Sequence, residues 1–478
     1  MSNKNKLNHI VELFGGTIIS VIVGVLTTPI ITRLVSPEVY GQLNLFNLYD
    51  GIIVMVFCLG LDQALIRFYY RNTSLEYRKN LVRSCVIFPS LMLGIVGFTL
   101  IILCMIKAIN FKFGIYGIIA LVICSLCQLI RRFSFIILRL EYKTKWYSIL
   151  HIMQKIIYVF CAILLLSIIN GFDFEILTIS TIFSVILVTI VSILSTKKLW
   201  CLSSNNKVVV NFKELLKFGL PFVLSMGLTT LFQAIDQFSI NYFCGFYENG
   251  IYSSAMSKIH IFSLVQTTFN ALWVPMSTEH YQKHHNSNKE FFVDANNHIS
   301  FIMFFIGICI ILMKNIIVYL LGSEYRLAVY IIPCLVFNPI MHTLSETTAI
   351  GINFSKKSYL HIIVSLVVCI VNIWGNFILV PVYGGRGAAI STGVSYIVFF
   401  VLRTIFSVRE FHVSYDYRKI VTMTLILLSY SLYCTFNNGF TSLLYGCICL
   451  FVLFIVYKKE FIKLLEISKK IIDNIKSK

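Results

Sequence analysis

The stretch VIFPSLMLGIVGFTLIILCMI, residues 86–106, contains no charged side chain over a length that can cross a membrane. The hydrocarbon core of a bilayer is roughly 30 Å thick and requires about 20 apolar residues in a helix. Basic residues crowd the N-terminal side of this stretch, where Arg78, Lys79 and Arg83 lie. Because short cytoplasmic loops retain positive charge, the pattern predicts a transmembrane helix that begins at the cytoplasmic side.

Apolar stretches of this kind recur along the whole chain of 478 residues, which has 58% hydrophobic and 13% charged residues. A mean hydropathy of +0.83 excludes a set of soluble domains. Strands of a membrane barrel would be about ten residues long with alternating polarity, which this chain lacks. We therefore predict an all-α polytopic membrane protein with about 14 transmembrane helices. The predicted segments are residues 10–33, 42–66, 82–106, 114–138, 146–169, 174–196, 216–241, 250–275, 295–321, 327–353, 358–380, 385–408, 420–437 and 440–457.

The charge distribution predicts the orientation of these segments. Of the 40 lysines and arginines, thirty-two lie in or beside alternate gaps, six in or beside the other gaps, and two, Lys155 and Lys258, far from either end of a segment. The basic gaps and both termini are therefore predicted to be cytoplasmic, which an even number of segments requires. Since the charges flank apolar runs and form no continuous basic surface, we expect anionic phospholipids as their partners, and no nucleic acid.

The connections between segments predict the domain organisation. The longest cytoplasmic connection, residues 197–217, is polar and basic and is expected to act as a hinge between two six-helix lobes. We assign residues 1–200 to the N-terminal lobe and residues 201–412 to the C-terminal lobe. Residues 413–478 form helices 13 and 14 and a basic tail. The tail alternates lysines with apolar residues, which predicts an amphipathic helix on the inner membrane surface.

Ionisable residues inside the segments are candidate functional residues because burying a charge in a membrane is costly. These are Asp62, Lys155, Asp236, Lys258, Glu346 and Arg403. The predicted orientation places Asp236 and Lys258 each roughly 9 to 12 Å from the outer end of its helix, at 1.5 Å per residue. The two side chains can therefore meet, either as a salt bridge that fixes helix packing or as an ion or proton site.

Neutral polar residues are predicted at the same depth as Asp236. Asn372 and Asn376 are four residues apart and share one helix face, and Thr392 lies at a similar depth on the next helix. One carboxylate with several neutral oxygens suits a hard cation. The alternative is that these side chains only form hydrogen bonds between helices.

Three further basic residues have weaker assignments. Lys155 lies near the middle of its segment, where it either contacts an anionic headgroup or pairs with a distant carboxylate such as Glu346. Arg67, just beyond Asp62, is either a second headgroup contact or an ordinary cytoplasmic anchor. Arg403 is expected to extend to the inner surface and is given no role.

Searches for catalytic and metal-binding motifs are negative. The chain has no Walker-type glycine loop, no HExxH and no GxSxG in a strand-turn-helix context. Its 14 cysteines lie mainly in apolar runs and are expected to be buried hydrophobes. We therefore expect no enzyme activity, no cofactor and no certain metal site.

Four stretches resemble a known family. They are NFILVPVYGGRGAAIST at residues 376–392, TRLVSPEVYG at 32–41, GLDQALIR at 60–67 and GIYSSAMSK at 250–258. These stretches are similar to polysaccharide flippases of the multidrug/oligosaccharidyl-lipid/polysaccharide exporter superfamily. The similarity involves both predicted lobes.

The resemblance implies an O-antigen type flippase of the bacterial cytoplasmic (inner) membrane, acting in lipopolysaccharide and surface polysaccharide biosynthesis. Its cargo would be an undecaprenyl-pyrophosphate-linked oligosaccharide, moved outward by alternating access of two lobes. Its partners would include a polysaccharide polymerase and a chain-length regulator. With such a cargo, the candidates chosen above from charge and depth, Lys155, Lys258 and Arg67, would bind the pyrophosphate or the sugars.

The same resemblance implies an ion-coupling site. In the related lipid II flippases, helices seven, eleven and twelve build a sodium site, which maps onto Asp236, Asn372, Asn376 and Thr392. This chain has Asn376 where a carboxylate is expected, and Lys258 is available as an internal cation. Coupling to H⁺ and coupling to Na⁺ both stay open, and Asp62 and Glu346 are further charges inside the membrane.

Three alternatives remain. A drug or small-cation antiporter of the same superfamily would favour an anionic cavity. A membrane polysaccharide polymerase or ligase would carry a large periplasmic loop with catalytic residues, whereas the outer gaps here are short. A structural membrane scaffold would have no need of buried charges at matched depths.

Overall fold

A computed structural model of the protein describes residues 19, 22–108, 111–200, 211–284, 289–355, 357 and 359–466. Within these ranges the regular elements are helices and there is no strand, so the all-α prediction is confirmed. The chain divides into two compact units, Met1–Ala234 and Ile235–Lys478. The division falls inside a helix, and the three-part organisation predicted from the sequence stays a prediction. The start of the first predicted segment, hinge residues 201–210 and the tail beyond Glu466 lie outside the described residues.

Unit 1 contains eight helices in its described part and the beginning of a ninth. They are α1 (Ile22–Thr32), α2 (Pro37–Cys58), α3 (Leu61–Phe68), α4 (Leu75–Met105), α5 (Gly114–Leu140), α6 (Thr144–Ile168), α7 (Asp173–Ser195), α8 (Lys197–Trp200) and the first part of α9 (Phe212–Phe243). Local chemistry sets several of these boundaries. Ser36 caps α2 by accepting a hydrogen bond from the backbone N–H of Val39, and Ser74 caps α4 in the same way.

A backbone break separates α2 from α3. Leu59 and Gly60 both adopt the left-handed conformation, with φ of 52° and 68°, which ends one helix and starts the next in a new direction. Gly60 is also required by close packing, because a Cβ atom there would lie 2.0 Å from the carbonyl oxygen of Gly219 on α9. Two glycines therefore allow the α2–α3 break and the beginning of α9 to touch through their backbones.

Unit 2 contains the end of α9 and the remaining described helices. They are α10 (Gly245–His284), α11 (Glu290–Leu312), α12 (Lys314–Tyr319), the 3₁₀ helix η1 (Ser323–Tyr330), α13 (Ile332–Leu335), α14 (Phe337–Thr348), α15 (Ile350–Phe354), α16 (Tyr359–Tyr383), α17 (Gly385–Glu410), α18 (Tyr417–Phe436), α19 (Phe440–Val456) and α20 (Lys458–Glu466). The hairpin α16–α17 packs closely because Gly375 has no side chain. A Cβ atom there would lie 2.4 Å from the hydroxyl oxygen of Ser391.

The helices confirm a multi-pass membrane protein. All 14 predicted segments coincide with helices in the part of the chain that is described. Nine of these helices are long and apolar enough to cross a membrane, or eleven if two bent pairs each count as one span. One bent pair joins Ser323–Tyr330 to Ile332–Thr348 at 54°.

The second bent pair involves the predicted amphipathic tail. Helix α20 turns by 79° from α19, as a helix lying along a membrane surface would. Phe461 on α20 packs against Phe454 at 4.8 Å between ring centroids. Glu460 accepts a hydrogen bond of 2.8 Å from Lys419 at the start of α18. These contacts hold α20 against unit 2.

Candidate functional site

Unit 1 contains an open cavity of about 630 Å³ lined mainly by α2, α3, α5 and α6. Acidic and basic side chains form part of its wall. They are Asp50, Asp62, Arg131, Arg132, Arg139 and His151. Three guanidinium groups therefore face two carboxylates, and the wall has an excess of positive charge before any contribution from the histidine.

The most buried charge in this wall is neutralised by an ion pair. Asp62 lies at the start of α3 with 2% of its surface exposed. Its Oδ2 atom accepts hydrogen bonds from Arg132 on α5, at 2.6 Å from Nη2 and 3.1 Å from Nε. The break at Gly60 places Asp62 in the first turn of α3, where a carboxylate also favours the helix N-terminus.

Arg131 is the residue with unused hydrogen-bonding capacity. Its Nη1 atom donates to the side-chain oxygen of Gln154 on α6, and its guanidinium carbon lies 5.3 Å from the centroid of Phe135. Its Nε atom is buried and has no hydrogen-bond partner among the described residues. A buried donor without an acceptor is costly, so this position suits an anionic ligand.

The sequence does not reveal the place of these arginines in a cavity wall. Charge patterning assigns Arg131 and Arg132 to a cytoplasmic gap, whereas both lie on α5, which continues to Leu140. Nine residues separate Arg131 from the end of that helix, which corresponds to about 14 Å. The positive-inside rule counts charges near a helix end and does not distinguish a membrane anchor from a cavity wall.

A smaller cavity of about 260 Å³ adjoins the first one, and Asn47 and Gln128 line both. Lys155 lines this second cavity, together with amide, hydroxyl and tyrosine side chains. Its ammonium group lies against α1, because a Cβ atom on Gly24 would be 2.5 Å from Nζ. The predicted candidate Lys155 is therefore part of the polar interior of unit 1.

Arg67 is placed away from these cavities. It is exposed on α3, and its guanidinium carbon lies 4.9 Å from the centroid of Phe218 on α9. A cation over an aromatic face accounts for its position. Its predicted contact with a headgroup stays a prediction.

In unit 2, four side chains converge on the carboxylate of Asp236, which has 4% of its surface exposed. The Nδ2 atoms of Asn376 and Asn372 donate to Oδ1 at 2.8 and 3.2 Å. The hydroxyl groups of Tyr252 and Thr392 donate to Oδ2, the first at 2.5 Å. Helices α9, α10, α16 and α17 each contribute to this cluster, which we call the Asp236 cluster.

Further hydrogen bonds orient the two asparagines. The Ser391 hydroxyl donates to the backbone oxygen of Asn372 at 3.0 Å, and the Asn372 side-chain oxygen accepts from Asn376 at 3.1 Å. The side-chain oxygen of Asn376 is buried and has no partner in the described structure. The cluster thus contains one unused acceptor beside a carboxylate that accepts four hydrogen bonds.

The four residues predicted from depth and from the family resemblance are brought together, but Lys258 is not among the partners of Asp236 that the described contacts show. Lys258 lies on α10, six residues after Tyr252, and is 5% exposed. Six residues correspond to about 9 Å of rise and 240° of rotation along a helix. Lys258 and Tyr252 therefore occupy different levels and different faces of α10. Tyr252 and Ser391 were missed from the sequence.

Glu346 and Arg403 form a separate buried ion pair in unit 2. Nη1 of Arg403 lies 2.6 Å from Oε1 of Glu346, and the same nitrogen donates to the Ser345 hydroxyl at 2.9 Å. The expectation that Arg403 extends to the membrane surface is wrong, because it is 8% exposed and paired with this carboxylate. Glu346 is therefore already neutralised without Lys155.

The described residues contain no group of three or more histidine, cysteine or acidic side chains that could hold a metal ion. The two sites differ in what they can bind. The cavity in unit 1 offers guanidinium donors to an anion, and the Asp236 cluster offers a carboxylate and neutral oxygens to a proton or a small cation.

Comparison with known families gives one match to the sequence. The family described as polysaccharide biosynthesis protein matches residues 7–281, which is more than half of the chain. No curated protein matches the sequence.

Solved structures match the fold over most of the chain. Lipid II flippase MurJ in an inward closed conformation gives a TM-score of 0.70 at 18% identity, covering 95% of this chain and 99% of that one. An inward-facing MATE multidrug resistance transporter of the MOP superfamily gives 0.59 at 14% identity, covering 81% and 93%. A MOP superfamily transporter from Pyrococcus furiosus, described as having a binding pocket of reverse polarity that suggests a different function, gives 0.53 at 15% identity, covering 84% and 94%. These likenesses show the fold.

Proposed function

Because the chain belongs to the polysaccharide biosynthesis protein family, we propose that it is a flippase for a lipid-linked oligosaccharide. The cargo is an undecaprenyl-pyrophosphate-linked repeat unit of O-antigen or a similar surface polysaccharide. It moves from the cytoplasmic to the outer leaflet of the bacterial cytoplasmic membrane, with both termini of the protein in the cytoplasm. The cationic cavity of unit 1 is the observation that supports this cargo most directly.

The diphosphate is the part of the cargo that is hardest to bring into a membrane protein. Two phosphate groups lose their hydration and need charged donors in return. Arginine supplies planar, bidentate donors that match phosphate oxygens, and it stays charged in a low-dielectric site. Beyond the Asp62–Arg132 pair, Arg131 and Arg139 face a single carboxylate, Asp50, and the Nε atom of Arg131 needs an acceptor. We assign the diphosphate to these arginines.

The polarity of the cavity also argues against the nearest rival, an antiporter for cationic drugs. Asp62 and Arg132 neutralise each other, and the remaining Arg131 and Arg139 outnumber Asp50, so the wall would repel a cationic cargo. The MOP superfamily transporter from Pyrococcus furiosus, which has a similar fold, is itself described as having a binding pocket of reverse polarity. The positive wall of this cavity therefore favours an anionic cargo.

The Asp236 cluster is proposed as the site that couples transport to a proton or sodium gradient. Its seven side-chain oxygens come from Asp236, Tyr252, Asn372, Asn376, Ser391 and Thr392, and hard cations take such ligands. In the described arrangement both amide nitrogens point at the carboxylate, so a sodium ion would require them to rotate. Rotation of the Asn376 amide would break the two hydrogen bonds that its Nδ2 atom donates, to Asp236 at 2.8 Å and to Asn372 at 3.1 Å, and would turn its unpartnered oxygen toward the ion.

We also propose which partners the protein has and that it is a transporter and not an enzyme. The protein acts without catalytic chemistry of its own, in lipopolysaccharide or related polysaccharide biosynthesis. Its basic gaps contact anionic phospholipids. It works beside a polysaccharide polymerase and a chain-length regulator, which consume the translocated repeat.

The experiment that tests the function is deletion of the gene in a strain without paralogues. We expect loss of surface polysaccharide and accumulation of the lipid-linked repeat in the cytoplasmic leaflet. Complementation with Arg131→Gln should restore export about tenfold less well than the wild type, since one charged contact to phosphate is lost. Lys145→Gln, which removes a basic residue from the first turn of α6, is the matched control and should complement fully.

Two outcomes would refute the proposal. Arrival of the repeat in the outer leaflet of the deletion strain would exclude flippase activity. Full complementation by Arg131→Gln, with the variant present at wild-type level in the membrane, would remove the diphosphate from this cavity.

A further inference from the structure

The second cavity of unit 1, which we call the Lys155 cavity, has a chemistry that differs from the arginine wall beside it. Its lining includes Lys155, Gln154, Tyr158, Thr181 and Ser184 from α6 and α7. Amides, hydroxyls, aromatic rings and one ammonium group predominate. No carboxylate lines it in the described structure.

The hydrogen bonds already made within this cavity define what remains for a ligand. The Thr181 hydroxyl donates to the backbone oxygen of Leu177 at 2.9 Å, and the Ser184 hydroxyl donates to that of Thr181 at 2.7 Å. Both hydroxyl oxygens therefore remain as acceptors. The side-chain oxygen of Gln154 accepts from Arg131, so its NH₂ group remains as a donor. The cavity thus combines remaining acceptors on α7 with donors on α6.

Paired donors and acceptors beside aromatic rings suit a polyol more than the other parts of a lipid-linked cargo. A prenyl chain would leave these buried polar groups without partners, which is unfavourable. A diphosphate would form stronger, charge-assisted hydrogen bonds with the neighbouring arginines. A sugar hydroxyl both donates and accepts, and the apolar face of a sugar ring can pack on tyrosine.

The volume and position of the Lys155 cavity specify which sugar it would take. At about 260 Å³ it is smaller than the roughly 300–1,000 Å³ of typical ligand sites, so it holds one sugar ring and not a whole repeat. Asn47 and Gln128 line both this cavity and the arginine cavity. A ring bound here would therefore be the one attached to the diphosphate.

We propose that the Lys155 cavity binds the first sugar of the repeat unit, with Lys155 donating to an acceptor substituent of that ring. The substituent is a carboxylate or an acetamido carbonyl. This inference rests on the proposed function, because it assumes a diphosphate held by the adjacent arginines. It adds that the protein selects its cargo at the ring closest to the membrane.

The test compares three defined probes on the purified full-length protein in nanodiscs. The probes are undecaprenyl diphosphate, the same lipid carrying N-acetylglucosamine, and the same lipid carrying glucuronic acid. Native mass spectrometry measures the dissociation constant of each. We expect the wild type to bind one sugar-bearing probe about tenfold more tightly than the sugarless one, as one or two added hydrogen bonds would give.

Substitutions then show which residues cause the tighter binding of the sugar-bearing probe. Lys155→Met and Ser184→Ala should bring the ratio of the sugarless to the sugar-bearing dissociation constant close to one. Lys155→Gln should preserve the ratio if the substituent is an acetamido group and lose it if the substituent is a carboxylate, since only the latter needs a charge. Lys145→Met on α6 and Ser180→Ala on α7 are matched controls that should keep the wild-type ratio.

The outcomes separate this inference from the proposed function. Arg131→Gln should weaken all probes and keep the ratio, because it acts on the diphosphate. If wild-type protein binds the three probes equally, or if the gain survives the double substitution Lys155→Met/Ser184→Ala, the sugar site is refuted and the flippase proposal stands. If no probe binds, both proposals fail.

Discussion

Unit 1 neutralises its most buried carboxylate, Asp62, with the guanidinium of Arg132, whereas unit 2 surrounds Asp236 with four neutral donors. The difference determines what each site can respond to. An ion pair is already neutral, so a further proton or cation gains little from it. A carboxylate held only by neutral donors has no counter-charge nearby, so a proton or a cation that binds it neutralises it. This contrast supports our proposal that unit 1 binds cargo and that unit 2 couples transport to an ion gradient.

The largest expected effect follows from removing the charge of Asp236. Asp236→Asn should abolish the dependence of transport on a proton or sodium gradient, because no anionic site remains to bind either ion. Transport in proteoliposomes with imposed gradients measures this. The double substitution Glu346→Gln/Arg403→Gln removes a paired carboxylate of unit 2 and should leave the gradient dependence intact. A persistent dependence in Asp236→Asn would show that coupling lies elsewhere.

The second-largest expected effect comes from breaking the ion pair between Asp62 and Arg132 in unit 1. Arg132→Leu should destabilise the protein by about 3 kcal/mol, because it leaves Asp62 buried without its counter-charge. Adding Asp62→Leu should recover most of this loss. Chemical unfolding in detergent gives the measurement. Arg71→Ala breaks the exposed pair with Glu214 and is the control, with an expected cost below about 1 kcal/mol.

Equal costs for the buried and the exposed pair would contradict the assignment of Asp62 as a desolvated charge. The same result would weaken the contrast between the two units. A double variant no more stable than Arg132→Leu would show that packing, and not charge, sets the effect.

The smallest effect concerns a single neutral donor. Tyr252→Phe removes one of the four hydrogen bonds to Asp236 and should cost about 1 kcal/mol, because three donors remain. The same unfolding assay measures it. Tyr383→Phe, at an exposed tyrosine of α16, is the control and should change stability by less than about 0.5 kcal/mol. A loss as large as that of Arg132→Leu would mean that the neutral donors share the cost of the buried charge unequally.

The sequence predicts the fold well because hydropathy and helix length are local properties. It also places Asp236, Asn372, Asn376 and Thr392 at one depth, and the structure brings these side chains into contact. Depth, however, gives the position of a residue only along the helix axis. The rotation of each helix about its axis depends on tertiary packing, and this is why Lys258 was expected near Asp236 while Tyr252 was overlooked.

The cavity of unit 1 was harder to predict for a related reason. Arg131 and Arg132 are adjacent in sequence near the end of a helix, where charges usually anchor a loop. Their role depends on α5 continuing to Leu140 and on the facing residues Asp62 and Gln154. Neither fact is contained in the local sequence around the two arginines.

The contact between Gly60 and Gly219 has a mechanical consequence. Side chains that interdigitate resist sliding, because each must climb over its neighbours before the helices can move. At this crossing backbone lies on backbone, with the Gly219 oxygen 2.0 Å from the position that a Cβ atom of Gly60 would occupy. Such a surface is smooth, so α9 can shift against the α2–α3 break with little friction at this point. The two glycines therefore permit sliding at this contact, and a methyl group on either residue would prevent it.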